Sequence, residues 1–362
     1  MKPADRCEKI TPFIVMEIME KIHKMEASGI DVIHMEIGEP DFNVPECVNK
    51  VSVEAFCGNE THYTHSLGDI RLREAISSYH RATYNTLIDP AHILVTSGTS
   101  PAMLLLFSAL VNPGDEIIIS DPHYACYANF ISYVQGIPVT VPVFEEEGFV
   151  YTPEAIKKKI TPKTRGIFIN SPSNPTGNVI PKTRMQQIVD IAEKRNLYII
   201  SDEIYHGLVY EGHAHSIYEF TDKAFVLNGF SKLFAMTGLR LGYLIAPPEF
   251  VRALQILQQN FFICANSVVQ LAGAAALKDA GKETQEMRET YNKRRIYVID
   301  RLKKMGLGIK VEPTGAFYVF ANAKHISNDS YGLAVDILDK AHVGVTPGID
   351  FGENGEGYLR FS

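Results

Sequence analysis

Between residues 93 and 246, short runs of apolar and mostly β-branched residues alternate with stretches in which apolar positions recur every three or four residues. The runs at 93–97, 116–120, 138–143, 166–170, 198–202, 224–227 and 241–246 are too short for helices, and several are apolar throughout, as strands covered on both faces are. The segments between them read as helices; over 182–195, for example, Met185, Ile188, Val189 and Ala192 fall on one face. This alternation predicts an α/β fold: a large three-layer domain around a mostly parallel, mixed sheet of seven strands. From about Pro248 a long helical pattern runs on past Lys304, and a strand-like 315–321 with a helix-like 331–341 predicts a smaller α+β domain. No Pro/Gly/Ser-rich linker separates the two. The expected division is a large domain over 41–285 and a small domain assembled from 1–40 and 286–362, the N-terminal segment crossing over to join it.

Charge and composition narrow the function classes. With 35 Lys+Arg against 42 Asp+Glu the formal net charge is −7, and no basic run offers a footprint for a phosphate backbone, so no nucleic-acid partner is expected. A chain that is 46% hydrophobic and 21% charged has the balance of an ordered globular protein. Cys7, Cys47, Cys57, Cys126 and Cys264 are scattered, without a CxxC pair or a Cys/His cluster at zinc spacing, and point to a reducing compartment. Acidic residues interrupt the N-terminal apolar stretch before a signal-peptide core can form, and the longest apolar run, 102–111, is too short to span a bilayer. A cytoplasmic protein with no membrane partner is expected.

Three polar residues stand at or just beyond the ends of successive strand patterns: Asn174, Asp202 and Lys232. Taken singly, each has an ordinary role as turn residue, helix cap or surface charge. Taken jointly, they share the carboxyl ends of neighbouring strands, where open α/β sheets bind ligands. Lys232 lies in Asn-Gly-Phe-Ser-Lys-Leu-Phe-Ala-Met, whose apolar neighbours would desolvate the amine, lower its pKa and suit it to Schiff-base chemistry. Arg240, in Thr-Gly-Leu-Arg-Leu-Gly, suits a phosphate. At 95–102 a strand pattern enters a helix through Ser97-Gly98-Thr99-Ser100, either an anion site made of free backbone N–H groups or ordinary capping. Neither GxGxxG nor GxxxxGK[ST] is present, and His213 and His215 have no further clustered ligand, so no metal site is expected.

These segments together resemble the fold-type-I, pyridoxal-phosphate-dependent aminotransferases of class I and II, the aspartate aminotransferase-like group, over nearly the whole chain. The resemblance is carried by Ile37-Gly38-Glu39-Pro40-Asp41-Phe42, Tyr63 with Gly68, Leu72, Arg73 and Ala75, Ser97-Gly98-Thr99, Pro122-His123-Tyr124 with Tyr127, Ser173-Asn174-Pro175-Thr176-Gly177, Ser201-Asp202-Glu203-Ile204-Tyr205, Phe230-Ser231-Lys232, Gly238-Leu239-Arg240-Leu241-Gly242 and Tyr358-Leu359-Arg360-Phe361-Ser362. It implies that Lys232 holds pyridoxal 5'-phosphate and carries the proton of the substrate Cα, that Asp202 meets the ring nitrogen, and that Asn174 and Tyr205 donate to the ring oxygen. Tyr124 would stack on the ring, and Gly98, Thr99, Ser100, Ser231 and Arg240 would cradle the phosphate. It further implies that Arg360 grips the substrate α-carboxylate beside Gly38. Tyr63 would reach the phosphate of a second subunit, which makes a homodimer with shared active sites.

Three departures from the family pattern bear on these expectations. Gly229 stands where many relatives have a serine that touches the phosphate. Ser100 stands where some aspartate-using relatives place a lysine, which favours a neutral amino donor. The chain ends directly after Arg360-Phe361-Ser362, where relatives continue into a final helix; either the sequence is truncated or the small domain is incomplete, and Arg360 is expected to sit near a frayed end. The expected activity is transfer of an amino group from an L-amino acid to a 2-keto acid. The alternatives are a carbon–sulfur β-lyase or another Cα-deprotonating enzyme on the same fold and, outside enzymes, a cofactor-sensing regulator, which would need a DNA-binding domain that the roughly forty residues before the core pattern leave no room for.

Overall fold

The computed structural model describes residues 2–8 and 10–362. After β1 (Ile33–His34), seven strands, β2 (Ile93–Thr96), β3 (Glu116–Asp121), β4 (Ile137–Pro142), β5 (Thr164–Asn170), β6 (Tyr198–Asp202), β7 (Ala224–Gly229) and β8 (Gly242–Ile245), form one sheet in the order β2-β8-β7-β6-β5-β3-β4. Strands β4, β3, β5, β6 and β7 are parallel, as the alternation predicts, whereas β8 runs antiparallel to both β7 and β2, so the sheet is mixed, in line with the expected fold class. The unbroken apolar runs follow from burial on both faces. Ile167, Ile169, Ile199 and Val226 point into one hydrophobic cluster, while Phe168, Ile200, Phe225 and Leu227 point into another. Each such side chain contributes about 1.5–3 kcal/mol on burial.

The long helical pattern after Pro248 is not one helix but three: Pro248–Phe261, Ser267–Asp279 and Gly281–Lys304. The first break has a local cause, since Ile263 takes φ 65° and the Asn266 side chain accepts from the Val269 amide at 3.1 Å to start a new helix. Apolar periodicity resumes in phase across the break and hides it. The strand expected at 315–321 shrinks to β9 (Val319–Asn322), because Ala316 takes φ 53° and Gly315 makes only an isolated bridge with Val209.

A second set of strands frames the far side of the site. β10 (Val343–Gly344) pairs in parallel with β1, and β9, β11 (Thr346–Pro347) and β12 (Tyr358–Phe361) form an antiparallel sheet with β12 in the middle. Helix Ile14–Ala27 brings Ile18 and Ile22 against Val32 and against Leu338 of helix Ser330–Ala341, so the N-terminal segment does cross over to these strands. The chain end does not fray at Arg360. β12 is paired on both sides, and the Ser362 amide donates to the Met35 carbonyl at 2.9 Å.

Candidate active site

Strands β5, β6 and β7 are parallel neighbours in register, with Asn170 beside Asp202 and Asp202 beside Leu227, so their carboxyl ends share one edge of the sheet. Asn174, Asp202 and Lys232 lie at that edge and line a single cavity of about 300 Å³ together with Gly38, Thr99, Ser100, Tyr124, Tyr205, Ser231, Arg240 and Arg360. The Asn174 amide donates to Asn170 Oδ1 at 2.8 Å, and Asn170 Nδ2 donates to the Asp202 carbonyl at 3.0 Å, which ties the loop after β5 to the end of β6.

At the floor of the cavity the Asp202 carboxylate is buried, accepting from the Tyr127 hydroxyl at 2.7 Å and the Ile204 amide at 3.1 Å. Burial pushes its pKa up to about 6, opposed by the Tyr127 hydroxyl, the Ile204 amide and the charge on Lys232. Lys232 is half-buried, and its amine donates to the Gly38 carbonyl. Burial, reinforced by the Arg360 and Arg240 charges, lowers its pKa to about 8. An amine poised there is a carbonyl nucleophile near neutral pH.

One end of the cavity fits a phosphate. Helix Thr99–Leu110 begins without a side-chain cap, so the N–H groups of its first turn face the cavity end unpaired by any side chain. Gly98, at φ +96°, brings the backbone so close that a Cβ would lie 2.5 Å from Arg240 Nη2. Gly242 lets β8 pass directly beneath, since a Cβ there would meet the Thr99 nitrogen at 2.8 Å, and at Gly229, its β-sheet partner, a Cβ would lie 3.0 Å from the Leu241 carbonyl oxygen. We expect Gly98→Ala to destabilise the protein by about 1–3 kcal/mol, from left-handed backbone strain, and to weaken phosphate binding by displacing Arg240. Thermal melts with and without inorganic phosphate test both parts.

A second part of the cavity lining fits a carboxylate. Arg360 is buried, its Nη1 donating to Asn174 Oδ1 and its Nη2 to Thr346 Oγ1, both at 3.0 Å, and Nη2 also to the Glu36 carbonyl. The guanidinium is sandwiched 4.6 Å from the Tyr318 ring and 5.0 Å from the Phe351 ring. Its Nε has no partner, and among the described residues no carboxylate pairs with it. Its direct hydrogen-bond partners are neutral oxygens, while the Asp350 carboxylate, which feels its charge, is taken up by the Ile14 and Val15 amides, so the cation is set to receive an anion. Gly38 contributes room here, because a Cβ would sit 2.1 Å from the Tyr318 hydroxyl.

Of the candidate site residues, all but Gly98 and Tyr63 line this cavity, and Gly98 adjoins it through Thr99 and Arg240. Tyr63 is 81% exposed and lines a separate surface depression near His62 and Arg71. Tyr124 packs edge-on against Phe13 and Tyr127, and Tyr205 bonds Tyr318 hydroxyl to hydroxyl at 2.7 Å. Sequence reasoning gave no role to Tyr127, Tyr318, Thr346 or Glu36, whose contacts to Asp202, Tyr205 and Arg360 are the site's second layer. Tyr127 belongs to the Pro122-His123-Tyr124 motif without a role of its own and Glu36 directly precedes Ile37-Gly38, but nothing in their spacing pairs them with residues so distant in sequence.

Comparison with known proteins agrees with this geometry. The family described as aminotransferase class I and II matches residues 30–362. A (5-formylfuran-3-yl)methyl phosphate transaminase of Methanocaldococcus jannaschii is 40% identical over 97% of this chain and 91% of its own length. An aspartate aminotransferase of Pyrococcus horikoshii is 40% identical over 99% of this chain and 92% of its own. The structure of the Thermus thermophilus aspartate aminotransferase with maleate superposes with a TM-score of 0.96 at 33% identity, covering 100% of this chain and 95% of that one.

Proposed function

The chain belongs to the class I and II aminotransferases and is a transaminase, and from that premise we propose that it moves the amino group of a neutral L-amino acid to a 2-keto acid with pyridoxal 5'-phosphate bound at Lys232. The observation that carries this reading is the meeting in one cavity of a half-buried amine, a buried carboxylate and an uncapped helix N-terminus. When bound, the cofactor supplies an electron-accepting ring conjugated to the substrate Cα. Asp202 presents its negative charge to the ring nitrogen. Asn174 and Tyr205 donate to the ring oxygen, and Tyr124 covers a ring face. Gly98, Thr99, Ser100, Ser231 and Arg240 hold the phosphate. Arg360 grips the α-carboxylate with Gly38 beside it, and Lys232, once free, would carry the proton from the substrate Cα to the C4′ position of the cofactor. Residues 41–285 form the domain that carries the cofactor, and 1–40 with 286–362 the domain that carries Arg360.

The preference for a neutral donor rests on Ser100, a hydroxyl rather than a cation, and on the apolar wall of Phe13, Val15, Met16, Met19, Ile37 and Met103. A panel of L-amino acids, followed by the loss of the visible absorption of the bound cofactor and its recovery with a keto acid, tests donor and reaction together. Neutral donors should react faster than aspartate, and Ser100→Lys should shift that ratio toward aspartate by about tenfold, the effect of roughly 1.4 kcal/mol. Equal rates for aspartate and leucine in the unmodified enzyme would overturn the donor assignment. Release of pyruvate and ammonia from cystathionine without any keto acid would instead mark the β-lyase, a reading the transaminase names of the relatives do not favour.

The functional unit in this reading is a homodimer in which Tyr63 reaches the phosphate of the partner's site, in keeping with its exposure and its distance from its own cavity. The five free cysteines suit a reducing cytoplasm. No helix of the described residues is long and apolar enough to cross a membrane.

A further inference from the structure

Arg360 is oriented by neutral oxygens, and one of these, the Glu36 carbonyl, belongs to a residue whose side chain is itself unusually placed. The Glu36 carboxylate is 0% exposed. Its Oε1 lies 2.7 Å from His34 Nδ1, and its Oε2 has no hydrogen-bond partner. Burying a carboxylate is costly unless a cation or several donors meet it, and here His34 is the partner. His34 is held in turn at Nε2 by Glu26 of helix Ile14–Ala27, 3.0 Å away. The space for the buried carboxylate comes from Gly344, opposite His34 in the β1–β10 pair, where a Cβ would lie 2.3 Å from Glu36 Oε2.

The backbone of the same residue closes a small network around the guanidinium. The Thr346 hydroxyl donates to the Glu36 carbonyl at 2.7 Å and accepts from Arg360 Nη2 at 3.0 Å, while that Nη2 also donates to the Glu36 carbonyl. Two residues on, the Gly38 carbonyl accepts from Lys232. The stretch 36–38 therefore touches both the cationic grip and the reactive amine. Besides the Thr346 hydroxyl, it is anchored by the Glu36 side chain.

We propose that Glu36 is a positioning residue for substrate binding: its carboxylate, clamped by His34 in the space left by Gly344, fixes the backbone carbonyl that aims Arg360 at the substrate carboxylate. This rests on the reading of Arg360 as the carboxylate grip. Glu26 and Glu36 both raise the pKa of His34 and so favour its charged form. The β10 strand opposite brings no charged side chain to it. The other charged groups bordering the cavity beside His34 are engaged or remote from it: Arg294 with Asp41 at 2.8 Å, Arg295 with Glu211 at 2.5 Å, and Glu39 with Thr237.

The test uses the cofactor-loaded enzyme and butanoate, a carboxylate with no amine to react and small enough for any apolar pocket, with its dissociation constant measured by calorimetry. Arg360→Lys should weaken butanoate by about a hundredfold, Glu36→Gln by about tenfold and His34→Gln by about threefold to tenfold, a charge-assisted bidentate contact being lost or misaimed. Cofactor affinity should stay within twofold in the last two variants, because the phosphate end is untouched. Butanoate affinity of the parent enzyme should fall as pH rises through the His34 pKa, as the imidazolium loses its charge, and His34→Gln should lack that step. Unchanged butanoate binding in Arg360→Lys would overturn the reading of Arg360 itself. Weakened binding in Arg360→Lys with parental affinity in both Glu36→Gln and His34→Gln would overturn the positioning role alone, as would a parallel loss of cofactor and butanoate affinity, the mark of general structural damage. Should Glu36→Gln fail to fold, His34→Gln decides, since that side chain is 40% exposed and its loss is tolerable.

Discussion

Lys232→Ala is expected to lose covalent cofactor attachment completely and transamination by at least about 10²–10⁴-fold, the contribution of a positioned proton carrier alone. Borohydride reduction of the loaded parent enzyme, followed by peptide mass analysis, should place the label on Lys232 and find none in the variant. Label on a different lysine of the variant would remove the assignment. The fold should survive. With its folded pKa lowered from 10.5 to about 8, the amine opposes folding at neutral pH, and that penalty is relieved only as pH rises from 8 toward 10.5. Removing the amine removes the penalty, so the variant should melt no lower than its parent at pH 7. The same lowered pKa sets the kinetics of attachment. Because the neutral amine is the nucleophile, the rate at which the cofactor-free protein takes up cofactor should climb through pH 8 and level off above it.

What the sequence made legible was governed by local pattern. Asn174, Asp202 and Lys232 could be assigned to one crevice because parallel neighbours put their carboxyl ends together whatever the details of the loops. Gly98 and Thr99 were legible because a strand entering a helix through a glycine leaves N–H groups unpaired. The second layer of the site was not legible, because it consists of contacts between distant segments. Tyr127 reaches Asp202, Tyr318 reaches Tyr205, and Glu36 and Thr346 reach Arg360 through tertiary packing that no periodicity encodes. The same holds for the close approaches made by Gly242, which the sequence shows only as part of the Arg240 motif, and by Gly344, which no sequence pattern marks. Their importance lies in what a Cβ would strike, the Thr99 nitrogen in one case and the Glu36 carboxylate in the other. The expected fraying at Arg360 failed for a related reason: proximity to the chain end suggests disorder, but β12 lies in the middle of its sheet and the sequence does not reveal strand order.

The second large effect is expected at Asp202. Asp202→Asn preserves the size of the side chain but not its charge, and we expect kcat to fall by about 10²–10³-fold, the scale on which a preorganised electrostatic contact acts in a buried site. A variant within a few-fold of the parent, with cofactor fully bound, would show that the carboxylate charge is not what the site needs. Tyr127→Phe separates the charge from its support. The Tyr127 hydroxyl donates to Asp202 Oδ2 and favours the ionised carboxylate, lowering a pKa that burial has pushed up to about 6. Without that donor the pKa must rise, so the acid limb of the activity profile, where Asp202 gains its proton, should move to higher pH. Above that limb the carboxylate is ionised in both proteins, so their kcat values should converge. A uniform loss at every pH, with no displacement of the acid limb, would assign Tyr127 to packing against Phe168, whose ring lies 4.2 Å away, rather than to holding the charge on Asp202.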